Sequence, residues 1–276
     1  MFYFVGIFLK IIYNRNGGFM KKKIVTTLLC ILLIIPLFFV GSVVYQHYKT
    51  RDGICIVGYH GVVSDKEKKE KYADNRYFLS ESQFKRQMKY LYEHHYQTLS
   101  MQDIDDYYQG KINIGKKTIA LTFDDGYKNF NTVVKPILEE YGFNGTCFVI
   151  GKHLTDQNNK MLKTNDIVNS DKIHYYSHSY NLHRTSSGFD RKIIQDLSLE
   201  EIQEDFDINP LDSTYFAFPY GRSRDDIEPI LKASGVKLAF SYNQFRHMTR
   251  NDDPYYLPRY MIVDIMPDIY FQWIIE

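Results

Sequence analysis

The chain has 276 residues, which suits one domain of about 200–230 residues with a short additional segment. Its composition, 44% hydrophobic and 24% charged, is typical of a folded protein. A net charge of +1 argues against a nucleic-acid-binding surface, and three cysteines without paired spacing argue against a zinc site of the finger type and against a disulfide framework.

The N-terminal region has the pattern of a targeting signal. Three lysines at 21–23 precede a run of about twenty apolar residues, 24–45, which is long enough to cross a bilayer. Lysines on this side of the run predict a cytoplasmic N-terminus and an external domain. No small-x-small cleavage site follows, which favours an uncleaved signal anchor at 20–46 over a cleaved signal peptide. We therefore predict a single-pass protein of the cell membrane with an extracellular domain.

Residues 1–19 precede Met20, which is followed by lysines and looks like a natural translation start. Gly17 and Gly18 would be encoded by G-rich codons just upstream of Met20, where a bacterial ribosome-binding site would lie. We therefore expect residues 1–19 to be an extension of the gene model or a short cytoplasmic tail. Residues 47–53 are the expected linker to a domain at 54–276.

From residue 54 onward the predicted elements alternate between strands and helices. The predicted strands have nearly continuous apolar character and cover 54–63, 117–123, 145–150, 172–179, 214–221, 236–241 and 258–263. The predicted helices cover 80–96, 100–110, 127–142, 190–206, 224–235 and a short segment around Trp273. Between them, 64–76 reads as a charged, mobile loop. This alternation predicts an α/β fold with a mostly parallel sheet covered by helices.

Polar residues cluster where the predicted strands end. In α/β folds, active sites lie at the carboxyl ends of the strands. The residues at these ends are His60, Asp124 and Asp125, His178, and the pair Pro219 and Tyr220. We therefore place the candidate functional site at this edge of the sheet.

Two of these clusters have the composition of a metal site. Asp124 and Asp125 are adjacent carboxylates after a buried strand, an arrangement that costs free energy unless a cation compensates it; a solvated turn with a capping Asp is the alternative. His178 and His183 are five residues apart, so their rings converge only if the chain loops back. Two imidazoles and one carboxylate, with positions left open for water, form a catalytic ligand set.

The motifs "TFDDG", "HS…H" and "FPYG", in this order and spacing, resemble the polysaccharide deacetylases of carbohydrate esterase family 4, over about residues 54–276. The resemblance implies a distorted (β/α)7 barrel, here preceded by a transmembrane helix. It also implies a divalent-metal hydrolase that removes N-acetyl groups from amino sugars. By this resemblance Asp125, His178 and His183 are the metal ligands and Asp124 is the general base. Zinc is the first candidate metal, ahead of cobalt, nickel and iron.

The chain departs from the common family pattern in three places. Ala217 stands where many members have an arginine, a C-terminal Leu-x-His motif is lacking, and the histidine step is five rather than four. Together with "GYHGV", these departures resemble the poly-β-1,6-N-acetylglucosamine deacetylases of bacterial biofilms. That subgroup supplies its general acid from a Tyr-His motif, which matches His60. His247 is the rival acid, because it is the one histidine after Pro219.

The same resemblance assigns roles to three further residues. Arg259, in "LPR", is expected to replace the missing arginine and orient Asp124. Pro219 and Tyr220 are expected on the substrate side of the site, where the backbone N–H of Tyr220 would hold the oxyanion. A surface ion pair for Arg259 and plain packing for Tyr220 are the alternatives.

The sequence therefore predicts a membrane-anchored N-deacetylase that acts on an exported N-acetylglucosamine polysaccharide and releases acetate, without a nucleic-acid partner. Two alternatives remain open. One is deacetylation of β-1,4 chains, in peptidoglycan or chitin, although the absence of Leu-x-His counts against it. The other is an inactive polysaccharide-binding module, against which the intact set of Asp124, Asp125, His178 and His183 argues, since pure binding needs no activated water.

Overall fold

The computed structural model of the protein describes residues 19–185 and 193–276. The described chain divides between Gln46 and His47 into two compact units. Most of helix α1 (Phe19–Thr50), which includes Pro36, belongs to the first unit. The segment Cys30–Thr50 is long and apolar enough to cross a membrane, a property that membrane anchors and signal sequences share. The apolar helix continues through Thr50, into residues that the sequence predicts as a linker.

The second unit alternates strands with helices. Its strands are β1 (Cys55–Tyr59), β2 (Gly61–Val63), β3 (Phe78–Ser80), β4 (Gln97–Thr98), β5 (Thr118–Phe123), β6 (Gly145–Val149), β7 (Ile173–Ser177), β8 (Tyr215–Ala217), β9 (Leu238–Phe240) and β10 (Tyr260–Met261). Its α-helices are α2 (Asp65–Lys71), α3 (Glu81–Glu93), α4 (Met101–Tyr108), α5 (Lys135–Tyr141), α6 (Leu199–Asp207), α7 (Glu228–Ala233) and α8 (Asp268–Ile275). A π-helical turn, Phe130–Val134, leads into α5.

The main sheet has the strand order β10-β1-β5-β6-β7-β8-β9, and β4 pairs with the first half of β5. All of these pairings are parallel. The sheet curls back on itself at the segment 257–261. Leu257 bridges to Phe240 of β9, and Tyr260 pairs with Val57 of β1. The predicted barrel of parallel strands is therefore present in a distorted form.

Alternate residues of the strands enter two different cores, as the two-residue period of a strand dictates. On β5, Ile119, Leu121 and Phe123 pack in the core that contains the apolar face of α3. Ala120 packs instead with side chains of β1, β6, β8 and β9 and of α4. Because that second cluster gathers residues from strands that lie far apart in the sheet, it fills the inside of the curl.

The predicted strand 54–63 is interrupted at His60. The chain forms β1 before this residue and β2 after it, and β2 pairs with β3 in a separate two-stranded sheet. Tight packing accompanies the break, because a Cβ atom on Gly61 would lie 2.3 Å from the ring of Phe78. His60 thus leaves the main sheet at the carboxyl end of β1.

The charged segment 64–76 differs from the expected loop, because it contains α2. The side chain of Ser64 accepts a hydrogen bond from the backbone N–H of Glu67 and caps this helix. At α3, Ser80 caps the helix, but the side chain of Gln83 donates to backbone carbonyls of Asp264 and Met266 instead of completing a capping box. At the start of α3, contacts between Gln83 and a distant part of the chain therefore replace a local capping contact.

Candidate active site

The structure brings the predicted site residues to one end of the sheet, as parallel strands require. His60 follows β1, Asp124 and Asp125 follow β5, and His178 follows β7. Pro219 and Tyr220 form a 3₁₀ turn after β8, and Arg259 precedes β10.

Asp124 forms a buried pair with Arg259, which is 0% exposed. Nη1 of Arg259 donates to Oδ1 and Nη2 donates to Oδ2, both at 2.8 Å, in the bidentate geometry of a strong ion pair. The hydroxyl of Tyr242 also donates to Oδ2, at 2.7 Å. Burial by itself would raise the pKa of Asp124, but the guanidinium of Arg259 outweighs it and holds the pKa well below its usual range. Asp124 is therefore ionised.

Asp125 has a backbone conformation that L-residues rarely adopt, with φ of 73°. Gly126 follows with φ of 77°, and a Cβ atom there would lie 2.7 Å from the side chain of Val149. The chain therefore makes a tight left-handed turn directly after Asp124. Among residues 19–185 and 193–276, no hydrogen-bond partner reaches the buried Oδ1 of Asp125. Strained backbone of this kind is common at functional sites.

His178 presents a free lone pair to Asp125. Its Nδ1 lies 2.8 Å from the backbone carbonyl of Ala217, so Nδ1 carries the proton and donates it. Its Nε2 lies 3.5 Å from Oδ1 of Asp125. Burial lowers the pKa of His178 to about 4, which keeps the ring neutral at pH 7. A neutral imidazole with this tautomer is ready to bind a metal through Nε2.

The loop between the two histidines explains their five-residue spacing. Ser179 adopts φ of 69°, so the chain leaves the strand direction directly after His178. The carboxylate of Asp205, on α6, accepts the backbone N–H groups of Tyr180 and Asn181 at 2.8 and 2.7 Å. The loop returns and places Nε2 of His183 at 3.2 Å from Oδ1 of Asp125.

Asp125, His178 and His183 therefore offer three donor atoms that lie within 4.8 Å of one another. Two are imidazole nitrogens and one is a carboxylate oxygen without a hydrogen-bond partner in the described chain. A buried carboxylate oxygen that faces two imidazole nitrogens without a hydrogen bond to either is unfavourable unless a cation lies between them. Nitrogen and oxygen ligands of this kind, fewer than four in number, fit a divalent transition metal with open positions.

The ring of His60 is held by aromatic neighbours. The centroid of the His60 ring lies 5.1 Å from that of Tyr77 and 6.4 Å from that of Tyr242. The planes of the His60 and Tyr242 rings differ by only 18°. Within the described residues, its buried Nδ1 has no hydrogen-bond partner. The orientation of His60 thus depends on ring packing rather than on a carboxylate.

The turn Pro219–Gly221 forms another wall of the site. Pro219 is buried, and Tyr220 has φ of 58°, another left-handed conformation. The ring of Tyr220 lies 4.1 Å from that of His183, measured between centroids. Tyr220 is therefore placed beside the candidate metal ligands.

The sequence does not predict two residues that support the site, Tyr242 and Asp205. Tyr242 belongs to the segment after β9 and contacts Asp124, Arg259 and His60, but nothing in "FSYNQ" distinguishes it from the other tyrosines. Asp205 lies in an ordinary helix, where one acidic residue carries no signal.

The structure separates His247 from the candidate active site. Its Nε2 lies 2.7 Å from the backbone carbonyl of Ile274, at the C-terminal end of α8. The neighbouring Met248 bridges to Ile54, directly before β1. His247 therefore lies near the amino end of β1, whereas His60 follows the carboxyl end of the same strand.

Comparison with known proteins shows a family and relatives to which this chain is similar. Residues 111–239 match the family described as polysaccharide deacetylase. A Staphylococcus aureus protein named poly-beta-1,6-N-acetyl-D-glucosamine N-deacetylase is 29% identical over 205 residues, which cover 68% of this chain and 69% of the relative. The protein of the same name from Staphylococcus epidermidis is 24% identical over 199 residues, 67% of this chain and 68% of the relative.

Solved structures share the fold. IcaB from Ammonifex degensii superposes with a TM-score of 0.68 at 24% identity, over 82% of this chain and 98% of that one. The Streptococcus pyogenes deacetylase PplD superposes with a TM-score of 0.66 at 21% identity, over 81% and 98%. The family match over residues 111–239 and the deacetylases among the relatives support a deacetylase enzyme, and the solved structures show that the fold is shared.

Proposed function

We propose that this protein is a metal-dependent N-deacetylase that removes acetyl groups from an exported N-acetylglucosamine polysaccharide. The observation that supports this most strongly is the convergence of Asp125, His178 and His183 beside the buried pair of Asp124 and Arg259. The names of the staphylococcal relatives favour a β-1,6-linked polymer as the substrate. A β-1,4-linked polymer remains the alternative.

In this proposal Asp125, His178 and His183 hold the cation, with zinc preferred over cobalt, nickel or iron. When bound, such a cation supplies Lewis-acid polarisation of an amide carbonyl and activation of water. Asp124 accepts the proton of the attacking water. Its carboxylate has about four lone-pair positions, and the bonds from Arg259 and Tyr242 occupy three of them. The remaining position is on Oδ1, so we assign the basic function to that oxygen.

His60 is the proposed general acid. An amine is a poor leaving group, so C–N cleavage needs a proton at the nitrogen. The ring of His60 packs beside Tyr242, whose hydroxyl contacts the base, so that acid and base both lie next to one aromatic side chain. The backbone N–H of Tyr220, in the turn that begins at Pro219, is the proposed donor to the oxyanion.

We further propose that residues 20–46 anchor the enzyme in the membrane, with 47–53 as a connection and 54–276 as an extracellular catalytic domain. Support comes from the three lysines that precede an apolar helix. Protease treatment of intact cells should then digest residues 54–276. Protection of that domain together with its recovery in the cytosol contradicts this topology.

The proposed activity is tested by measuring acetate release from β-1,6 and β-1,4 N-acetylglucosamine oligomers with added Zn²⁺, Co²⁺ or Ni²⁺. We expect metal-dependent release from the β-1,6 oligomers, and little from the β-1,4 oligomers. The reverse preference would reassign the substrate. Binding of both oligomers without acetate release under any metal would instead support an inactive binding module.

A further inference from the structure

Tyr242 contacts three charged or titratable groups of the proposed active site. Its hydroxyl donates to Oδ2 of Asp124 at 2.7 Å, and its ring lies 4.5 Å below the guanidinium carbon of Arg259. The ring of His60 lies nearly parallel to it, at 6.4 Å between centroids. One side chain therefore contacts the proposed base, the arginine that orients the base, and the proposed acid.

The backbone around Tyr242 leaves space for this ring on two sides. A Cβ atom on Gly58 would lie 2.6 Å from the Tyr242 hydroxyl oxygen, and a Cβ atom on Gly221 would lie 2.7 Å from the ring. Two glycines, one at β1 and one after β8, thus allow the close approach. A bulkier residue at either place would displace the ring from the site.

We propose that Tyr242 is a positioning residue that serves the base and the acid by two separable parts. Its hydroxyl occupies a lone pair of Oδ2 of Asp124, which leaves Oδ1 as the basic oxygen. Its ring holds His60, whose buried Nδ1 has no hydrogen-bond partner among the described residues. This inference rests on the proposed function, because it assigns the work of Tyr242 to the base and the acid named there.

The two parts are separated by two variants and two substrates. Tyr242→Phe keeps the ring and removes the hydroxyl, whereas Tyr242→Met removes both and fills much of the space with a flexible side chain. An N-acetylglucosamine oligomer needs both a base and an acid. An activated phenyl acetate needs the base but not the acid, because its leaving group departs without a proton.

We expect Tyr242→Phe to lower kcat by about 10- to 100-fold on both substrates, with KM almost unchanged, since it removes one hydrogen bond to a charged group. We expect Tyr242→Met to lose about a further tenfold on the amide only, because His60 then keeps only one of its two aromatic neighbours, Tyr77. Co²⁺ affinity and melting temperature of Tyr242→Phe should match those of the wild type. Tyr215→Phe, which removes a buried hydroxyl 3.2 Å from Asp105, is the matched control away from the site and should leave kcat unchanged.

The proposal is overturned if Tyr242→Phe keeps kcat within about twofold of wild type on both substrates, or loses activity on only one of them. It is also overturned if Tyr242→Met changes the amide and the ester equally. Failure of the proposed function has a different signature, because the wild type itself would then release no acetate from any oligomer.

Discussion

The two ends of the barrel each bring histidines together, but with different surroundings. At the carboxyl end, His178 and His183 lie 5.3 Å apart between ring centroids, and both direct Nε2 at Asp125. At the amino end, His47 and His247 lie 5.0 Å apart. There Nδ1 of His47 faces the hydroxyl of Tyr260, and Nε2 of His247 faces a backbone carbonyl.

The difference shows why a pair of imidazoles is not by itself a metal site. The amino-end pair contacts neutral partners and packs on aromatic rings, with Trp273 at 4.2 Å from His47. The carboxyl-end pair shares one anionic oxygen that lacks a hydrogen-bond donor within the described ranges. The carboxylate therefore distinguishes the proposed ligand set from an ordinary histidine cluster.

The largest expected effect follows from removing one ligand at the carboxyl end. Asp125→Ala, His178→Ala and His183→Ala should each weaken metal binding by more than about a hundredfold and abolish deacetylation, because three ligands would become two. Metal content by mass spectrometry and acetate release measure the two effects.

His247→Gln is the matched variant at the amino end. Its side-chain amide can still donate to the Ile274 carbonyl, so metal content and turnover should stay at wild-type values. Full metal occupancy in the His183→Ala protein would show that the ligand set is assigned wrongly, and metal loss in His247→Gln would place the site at the other end.

A second, comparable effect concerns the charge pair beside the ligands. Asp124→Asn should keep the metal and lower kcat by about 10²–10⁴-fold on amide and ester substrates alike, since it removes the base. It also leaves the guanidinium of Arg259 buried without its counter-charge, which should reduce the free energy of unfolding by about 3–5 kcal/mol. Urea denaturation measures this loss.

The double variant Asp124→Asn with Arg259→Met separates the two consequences. With both charges removed, most of the lost stability should return, because no unpaired charge remains buried. Turnover should not return. Recovery of activity in this stable variant would rule out Asp124 as the base.

His60→Ala tests the acid. We expect metal binding to persist and amide hydrolysis to fall by about 10²–10⁴-fold, the usual contribution of a general acid. Hydrolysis of an activated phenyl acetate should change much less. The alkaline limb of the wild-type pH–rate profile should disappear or move, because the variant lacks the proposed acid.

The control for His60 again comes from the amino end. His247→Ala should retain the alkaline limb, because its ring lies near the start of β1 and not at its end. If His247→Ala removes that limb while His60→Ala leaves amide hydrolysis near wild type, the assignment of the acid is wrong.

The smallest effect is a pH dependence of stability in the metal-free protein. His178 has a folded-state pKa of about 4, below its ordinary value of 6.5, because it is buried. Between these values only the unfolded chain binds the proton, so the free energy of unfolding falls as the pH drops from 6.5 to 4, by roughly 1 kcal/mol per pH unit. Burial lowers the pKa of His247 in the same direction.

Histidines at both ends of the barrel therefore contribute to the dependence of the free energy of unfolding on pH, and two variants measure the contribution of each. His178→Asn and His247→Gln should each flatten the dependence of urea unfolding on pH, measured between pH 7 and about pH 4. An unchanged slope in His178→Asn would mean that its imidazole is already charged in the folded protein.

Much of the candidate site could be predicted because it depends on a local rule. Asp124 and His178 each follow a buried apolar run, and the ends of parallel strands meet at one edge of a sheet. The convergence of distant residues therefore follows from strand direction alone. Only the resemblance to a family predicts Arg259, because no local pattern links "LPR" to an aspartate 135 residues earlier.

The features that the sequence does not predict, helix α2 and the role of Tyr242, depend on contacts that leave no periodic pattern in the sequence. Helix α2 buries none of its side chains, so it lacks an apolar stripe, and only the Ser64 cap signals it. Tyr242 reaches Asp124 across 118 residues, through space that Gly58 and Gly221 leave open. Such a contact exists only after three strands have packed together.

The position of Arg259 links the ion pair of Asp124 to the closure of the sheet. It lies in the segment 257–261, whose backbone is bonded to β9 on one side and to β1 on the other. A domain in which this segment has not packed between the two strands would have Asp124 without its guanidinium. Closure of the curled sheet and formation of the buried ion pair are therefore a single event.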